Sequence, residues 1–186
     1  MDIKVGVQAL YYISEKLNHP VDKITAIKLI YFADRYHLRK YGRLITGDVY
    51  YAMKYGTVAS NIKDILSNNI CNEEGKGYIE QCIKKIDDKT YESVKSDIQL
   101  KSLSKTDIEA LDFVIKKLGS LTSWELSELS HKYPEWKRFE NTLSDDNKRE
   151  PVVIDDFFSD YTFDGDVFQI IPQEIVEQSR EIYFFG

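Results

Sequence analysis

The chain has 186 residues, 42% of them apolar, and a formal net charge of −6, so it fits one ordinary domain that removes about 70% of its unfolded surface from water and needs neither a disulfide nor a metal to hold it together. The charge is uneven: residues 141–186 carry eleven acidic and three basic side chains, a net of −8, which leaves +2 for residues 1–140. The acidic end disfavours a phosphate backbone and favours a basic partner, no apolar run approaches the roughly 18 residues of a membrane span, and nothing at the start reads as a basic-then-apolar leader, so the cytoplasm is the expected compartment.

Along the chain, Val5, Ala9, Tyr12, Ile13 and Leu17 recur at helical spacing until Asn18-His19-Pro20 ends the pattern. Residues 22–41 give the strongest helical signal, with Ile24, Ile27, Tyr31, Leu38 and Tyr41 on one stripe widened by Ile30 and Ala33, and Gly42 as the stop. The apolar, aromatic run 45–56 is bracketed by glycines and suits a loop, a short strand or one tight helical turn. A further helix is expected over 59–66, and a hairpin over 78–94 around Asp87-Asp88-Lys89. Ser104 and Thr122 each open a capping pattern, predicting helices to Leu118 and to Ser130. Residues 144–150 and Pro151 read as a connection, and a last helix follows Pro172 from Gln173 to Tyr183. Cys71 and Cys82 lie outside C-x-x-C spacing with no histidine near them, and read as free buried thiols. The pattern predicts a mainly α fold: a compact multi-helix domain with a small β-hairpin or short strands, and an acidic C-terminal extension ending in a helix.

Within it, the run Lys28-Leu29-Ile30-Tyr31-Phe32-Ala33-Asp34, then Leu38, Gly42, Ile45-Thr46-Gly47-Asp48, Tyr51-Ala52 and Tyr55-Gly56-Thr57-Val58, resembles the signature of the Panacea domain of SocA-like antitoxins. Leu129-Ser130-His131 followed by Pro134-Glu135-Trp136 is similar to that family's downstream block. The resemblance covers residues 1–140 and sets the acidic region 141–186 apart. Thr57 departs from it, because many members have proline there, and threonine lacks proline's fixed φ. The resemblance implies a bacterial or phage antitoxin that acts on a cognate protein toxin, with small alarmone-synthetase relatives that modify the tRNA 3′ end among the toxins. It leaves two mechanisms open: direct binding, and delivery of the toxin to a protease by an adaptor. The family-motif residues Tyr31, Asp34, Gly42, Thr46, Gly47, Gly56, Val58, His131 and Trp136 read as structural.

Asp34 lies on the apolar stripe, where a carboxylate needs a partner; backbone N–H groups of loops 46–48 or 55–58 would supply one. The catalytic alternative pairs Asp34 with His37, one turn away, as acid and base, or uses His131 in a hydrolase that reverses toxin damage. A helix-end histidine more commonly bonds the last carbonyls or packs on a ring such as Trp136. No metal, phosphate-loop, dinucleotide or nucleophile-elbow pattern occurs, so neither a cofactor nor a metal is expected. The partner-binding candidates lie elsewhere. Between Asp155 and Asp166 five acids alternate with four aromatics and no base; Asp155, Asp156, Phe157, Phe158, Asp160, Tyr161, Phe163 and Asp164 have the composition of a binding hot spot, joined by the clustered Tyr50, Tyr51 and Tyr55. The expectation is a non-enzymatic inhibitor that blocks its toxin's substrate or nucleotide site and touches neither nucleic acid nor membrane.

Overall fold

The computed structural model describes residues 1–70, 73–94, 98–144 and 147–186. Helix α1 (Ile3–Leu17) is capped by the Asp2 side chain, which accepts from Lys4 N at 2.8 Å, and ends on Asn18 in the left-handed region. Strand β1 (Val21–Asp22) leads into α2 (Lys23–Tyr41), whose N-terminus is capped by Asp22 through Ile24 N and Thr25 N. A hairpin follows, β2 (Tyr50–Met53) and β3 (Gly56–Ala59), so strand is the outcome for the run that the sequence left open. Helices α3 (Ser60–Leu66) and α4 (Glu73–Cys82) come next, then β4 (Ile83–Lys85) and β5 (Thr90–Ser93). The expected hairpin therefore begins five residues late. Its first residues stay helical, and Asp87 closes the turn by accepting from Lys89 N and Thr90 N.

Helices α5 (Lys105–Leu118) and α6 (Ser123–His131) both carry the reciprocal capping box that Ser104 and Thr122 announce. Short α7 (Pro134–Lys137) starts on its proline. Part of the expected connection at 144–150 is instead strand β6 (Arg149–Pro151), paired antiparallel with β2; a proline is tolerated there because the strand is an edge. Two 3-10 turns, Ile154–Phe158 and Val167–Ile170, precede α8 (Gln173–Phe185). The sheets are antiparallel, in the orders β1-β5-β4 and β3-β2-β6. The fold is mainly α. No helix among the described residues is long and apolar enough to cross a membrane. Cys82 is a buried free thiol, and Cys71 lies outside the described residues.

Helix α2 is the axis of the molecule. It packs against α5, α6, α8 and β3, and every residue from Ala26 to Arg39 is buried. Leu29, Ile30, Phe32 and Leu38 are each almost wholly enclosed, a burial that contributes about 1.5–3 kcal/mol per side chain. Ile24, expected on the same stripe, is exposed because it belongs to the first turn, before those neighbours close around the helix. Gly42 ends α2 at φ 69° and also admits α8: a Cβ there would lie 2.7 Å from the Ser179 carbonyl oxygen and 2.8 Å from Ile182 Cβ.

Candidate functional site

A helix so enclosed must provide for its own charged groups, and five of those on α2 are buried: Lys28, Asp34, Arg35, His37 and Arg39. The Asp34 carboxylate is fully enclosed by the loop after α2. One oxygen accepts from Ile45 N at 2.5 Å and Thr46 N at 3.1 Å, the other from Thr46 Oγ1 at 2.5 Å and from the Tyr50 hydroxyl. Burial pushes its pKa up to about 6, against the pull of these four donors. His37 turns to other partners. Its Nδ1–H donates to the Arg43 carbonyl at 2.8 Å and its Nε2 accepts from Thr106 Oγ1 at 2.9 Å, with burial holding it below its ordinary pKa. Asp34 and His37 thus serve two different loops and do not form an acid–base couple.

Arg35 meets Glu135 at 2.5 Å, and both side chains have no solvent exposure. Tyr31 donates to the same glutamate oxygen at 2.6 Å, and the guanidinium lies 4.1 Å from the centre of the Tyr133 ring. This link between α2 and α7 was not among the sequence candidates. A signal for it existed in the charged residue beside Asp34 and in the glutamate of the Pro-Glu-Trp block, but nothing in the sequence says that they meet. On the same block, His131 lies 3.9 Å from Trp136, centre to centre, and the Trp136 indole N–H donates to the Met53 carbonyl at 2.8 Å.

Lys28, like Arg39, bonds only to uncharged acceptors. Its ammonium donates to the Thr57 carbonyl at 2.8 Å and to Ser130 Oγ at 3.0 Å. A Cβ on Gly56, which sits at φ 90°, would fall 1.9 Å from Ser130 Oγ and 2.5 Å from Lys28 Nζ, so the glycine is what lets the three come together. Burial pushes the Lys28 pKa down to about 7. Because that is lowered from 10.5, the unfolded chain binds more protons than the folded one between pH 7 and pH 10.5, and stability rises with pH across that window. His131, with its pKa lowered by burial, titrates below 6.5, the buried tyrosines act only above 10, and the Cys82 thiol, pushed up from 9.0 by burial, opposes the rise only above pH 9. Urea melts from pH 7 to pH 9 should show an upward slope in stability that Lys28→Met flattens; equal slopes in the two proteins would refute this.

Arg39 reaches the acidic segment, donating to the Phe157 and Ser159 carbonyls at 2.7 and 2.9 Å. This clamp decides the fate of the candidate anchors. Phe157 lies 6.0 Å from the Tyr31 ring and 5.6 Å from the Tyr50 ring, and Phe157, Phe158 and Tyr50 are core side chains rather than surface ones, a correction to the expected surface. Asp155 is held by Arg180 at 2.5 Å and Asp156 by Arg138 at 2.6 Å. Phe163 leans on Tyr133, and Tyr51 is half-covered with Arg149 over its ring. Asp160, Tyr161, Asp164 and, on the β2–β3 turn, Tyr55 remain exposed. Among the described residues no group of three histidine, cysteine or acidic side chains could hold a metal ion.

Residues 27–137 match the family model described as antitoxin SocA-like, Panacea domain. Neither the curated proteins nor the solved structures contain a match to this chain.

Proposed function

The chain belongs to the SocA-like antitoxin family, Panacea domain, and we propose that it silences a cognate protein toxin by forming a stoichiometric complex with it. The observation that carries this reading is where the match ends. The shared residues 27–137 contain the buried polar framework on α2 and its partners Thr46, Tyr50, Thr57, Ser130 and Glu135, whereas the acidic end of the chain lies beyond them. A common scaffold then presents a segment suited to one particular toxin. Of that segment, Asp160, Tyr161 and Asp164 face solvent, and the clamp from Arg39 holds their base to the core. Preorganised acids beside an aromatic side chain complement a basic groove, and an enzyme that acts on tRNA or nucleotide phosphates has one. An alarmone-synthetase relative that modifies tRNA is the toxin class this favours, with its substrate or nucleotide site blocked. A binder rather than a catalyst is favoured by Asp34, whose two oxygens both receive hydrogen bonds from the fold.

The test is co-expression with the product of the adjacent reading frame. Full-length chain should protect only at equimolar or higher amounts, and the toxin should persist; its disappearance would point to a protease adaptor. Asp160→Asn with Asp164→Asn should weaken the complex about tenfold at low salt and flatten its salt dependence. Undiminished protection and unchanged salt dependence would remove the acidic segment from the interface.

A further inference from the structure

Helix α8 has two faces, and the fold covers one of them. Val176 and Ser179 are buried, and Tyr183 and Phe184 lean on Phe158 at ring separations of 6.0 and 6.2 Å. Beyond that face Ile175 and Phe185 are 36% and 83% exposed, and Ile182, which touches Gly42 with one side, is still 57% exposed. Their spacing of i, i+7 and i+10 places them on one stripe. A second row runs beside it, Glu174, Glu177 and Glu181 at i, i+3 and i+7, all exposed. The helix has a single basic residue, Arg180, and Asp155 holds it at 2.5 Å. Where α2 ends against α8, Lys40 and Arg43 are likewise taken by Glu109 and Asp107, at 2.6 Å each. The acidic row therefore sets the local sign.

An exposed apolar stripe rimmed by charge marks a contact surface, and its charge selects among occupants. An anionic bilayer is repelled by the glutamates. A second copy, packed stripe on stripe in an antiparallel two-fold contact, would set one acidic row against the other. A protein groove with an apolar floor and a lysine- or arginine-lined edge matches both rows at once. We infer that the outer face of α8 docks as a helix in such a groove, with Ile175, Ile182 and Phe185 as its anchors and the three glutamates on the basic edge. The inference rests on the antitoxin reading above and places that groove on the toxin.

Two sets of variants test it, Ile182→Ser with Phe185→Ser, and Glu174→Lys with Glu177→Lys and Glu181→Lys. Each is checked first for a wild-type thermal melt, because Ile182 also touches Gly42 at the end of α2. The probe is the purified product of the adjacent reading frame in inactive form, titrated with full-length wild type and variants. Loss of the anchors should weaken binding by about a hundredfold or more, and charge reversal should slow association and invert its salt dependence. Wild-type binding by both sets would overturn the inference and leave the antitoxin reading standing. If wild type itself fails to bind, the antitoxin reading fails first. A wild-type dimer that the serine variants convert to monomer, or flotation of wild type but not variants with phosphatidylcholine vesicles, would reassign the face and likewise overturn the inference.

Discussion

Glu135→Ala should destabilise the chain by about 3–5 kcal/mol, because it leaves the Arg35 guanidinium enclosed without its counter-charge. Both side chains have no exposure, and Glu135 Oε1 is the acceptor for Arg35 at 2.5 Å and for Tyr31 at 2.6 Å. Water cannot replace the carboxylate without opening the contact between α2 and α7, and the rings of Tyr133, Phe157 and Phe168 around the guanidinium offer it only their faces. The cost belongs to the orphaned charge and not to the value of the pair. Arg35→Met combined with Glu135→Met should therefore recover a large part of the loss, since two apolar side chains of similar volume leave only the Tyr31 hydroxyl to be satisfied. Urea unfolding at pH 7 measures both; a double variant as unstable as Glu135→Ala would show that the pair itself, and not the desolvated charge, dominates.

Asp34→Ala should have an effect of similar size for a different reason. The carboxylate is an acceptor hub: two backbone N–H groups, the Thr46 hydroxyl and the Tyr50 hydroxyl all end on it. Alanine leaves the N–H groups of Ile45 and Thr46 buried and without an acceptor, at about 1–3 kcal/mol each, in addition to the lost hydroxyl contacts. Asp34→Asn separates the contributions. The amide oxygen can keep both N–H bonds, and because a hydroxyl can accept as well as donate, Thr46 and Tyr50 can rotate to receive the new NH2 group. About half of the alanine loss is expected for asparagine, with the loop from Ile45 to Asp48 still protected in hydrogen exchange. Equal losses for the two variants would mean that the negative charge, rather than the acceptor geometry, holds the loop.

Both sites show how much a single sequence reveals about a buried polar framework. That Asp34 needs a partner follows from its place on an apolar stripe, and that a loop N–H could supply one follows from the glycine-flanked run after α2. The Arg35–Glu135 pair was not legible, because its members lie 100 residues apart and each would read equally well as an exposed charge. Lys28 opens a run that looks apolar except for itself, and a lysine at the edge of such a run usually extends to water. Only the close approach of Ser130 and Thr57, through the gap at Gly56, keeps it inside. On the acidic segment, alternation of aspartate and aromatic residues is the same in sequence whether the rings face inward or outward. Phe157 and Phe158 go inward because Arg39 fastens the carbonyls of Phe157 and Ser159 to α2, and Asp160 and Tyr161, just beyond, stay outside.

Sequence alone determined the features whose causes lie within one turn of helix or one loop. The caps at Ser104 and Thr122, the stop at Gly42, the long helix before it and the helix after Pro172 all follow from neighbours a few residues away, as does the acidic bias of the last quarter of the chain. Tertiary structure decided which charges are enclosed and which faces are left for a partner. Hydrogen bonds and ring contacts between residues distant in the chain choose between burial and exposure for side chains of the same kind, and local periodicity carries no record of that choice. So Phe157 became core and Ile182 and Phe185 became surface, although nothing in their immediate neighbours distinguishes them.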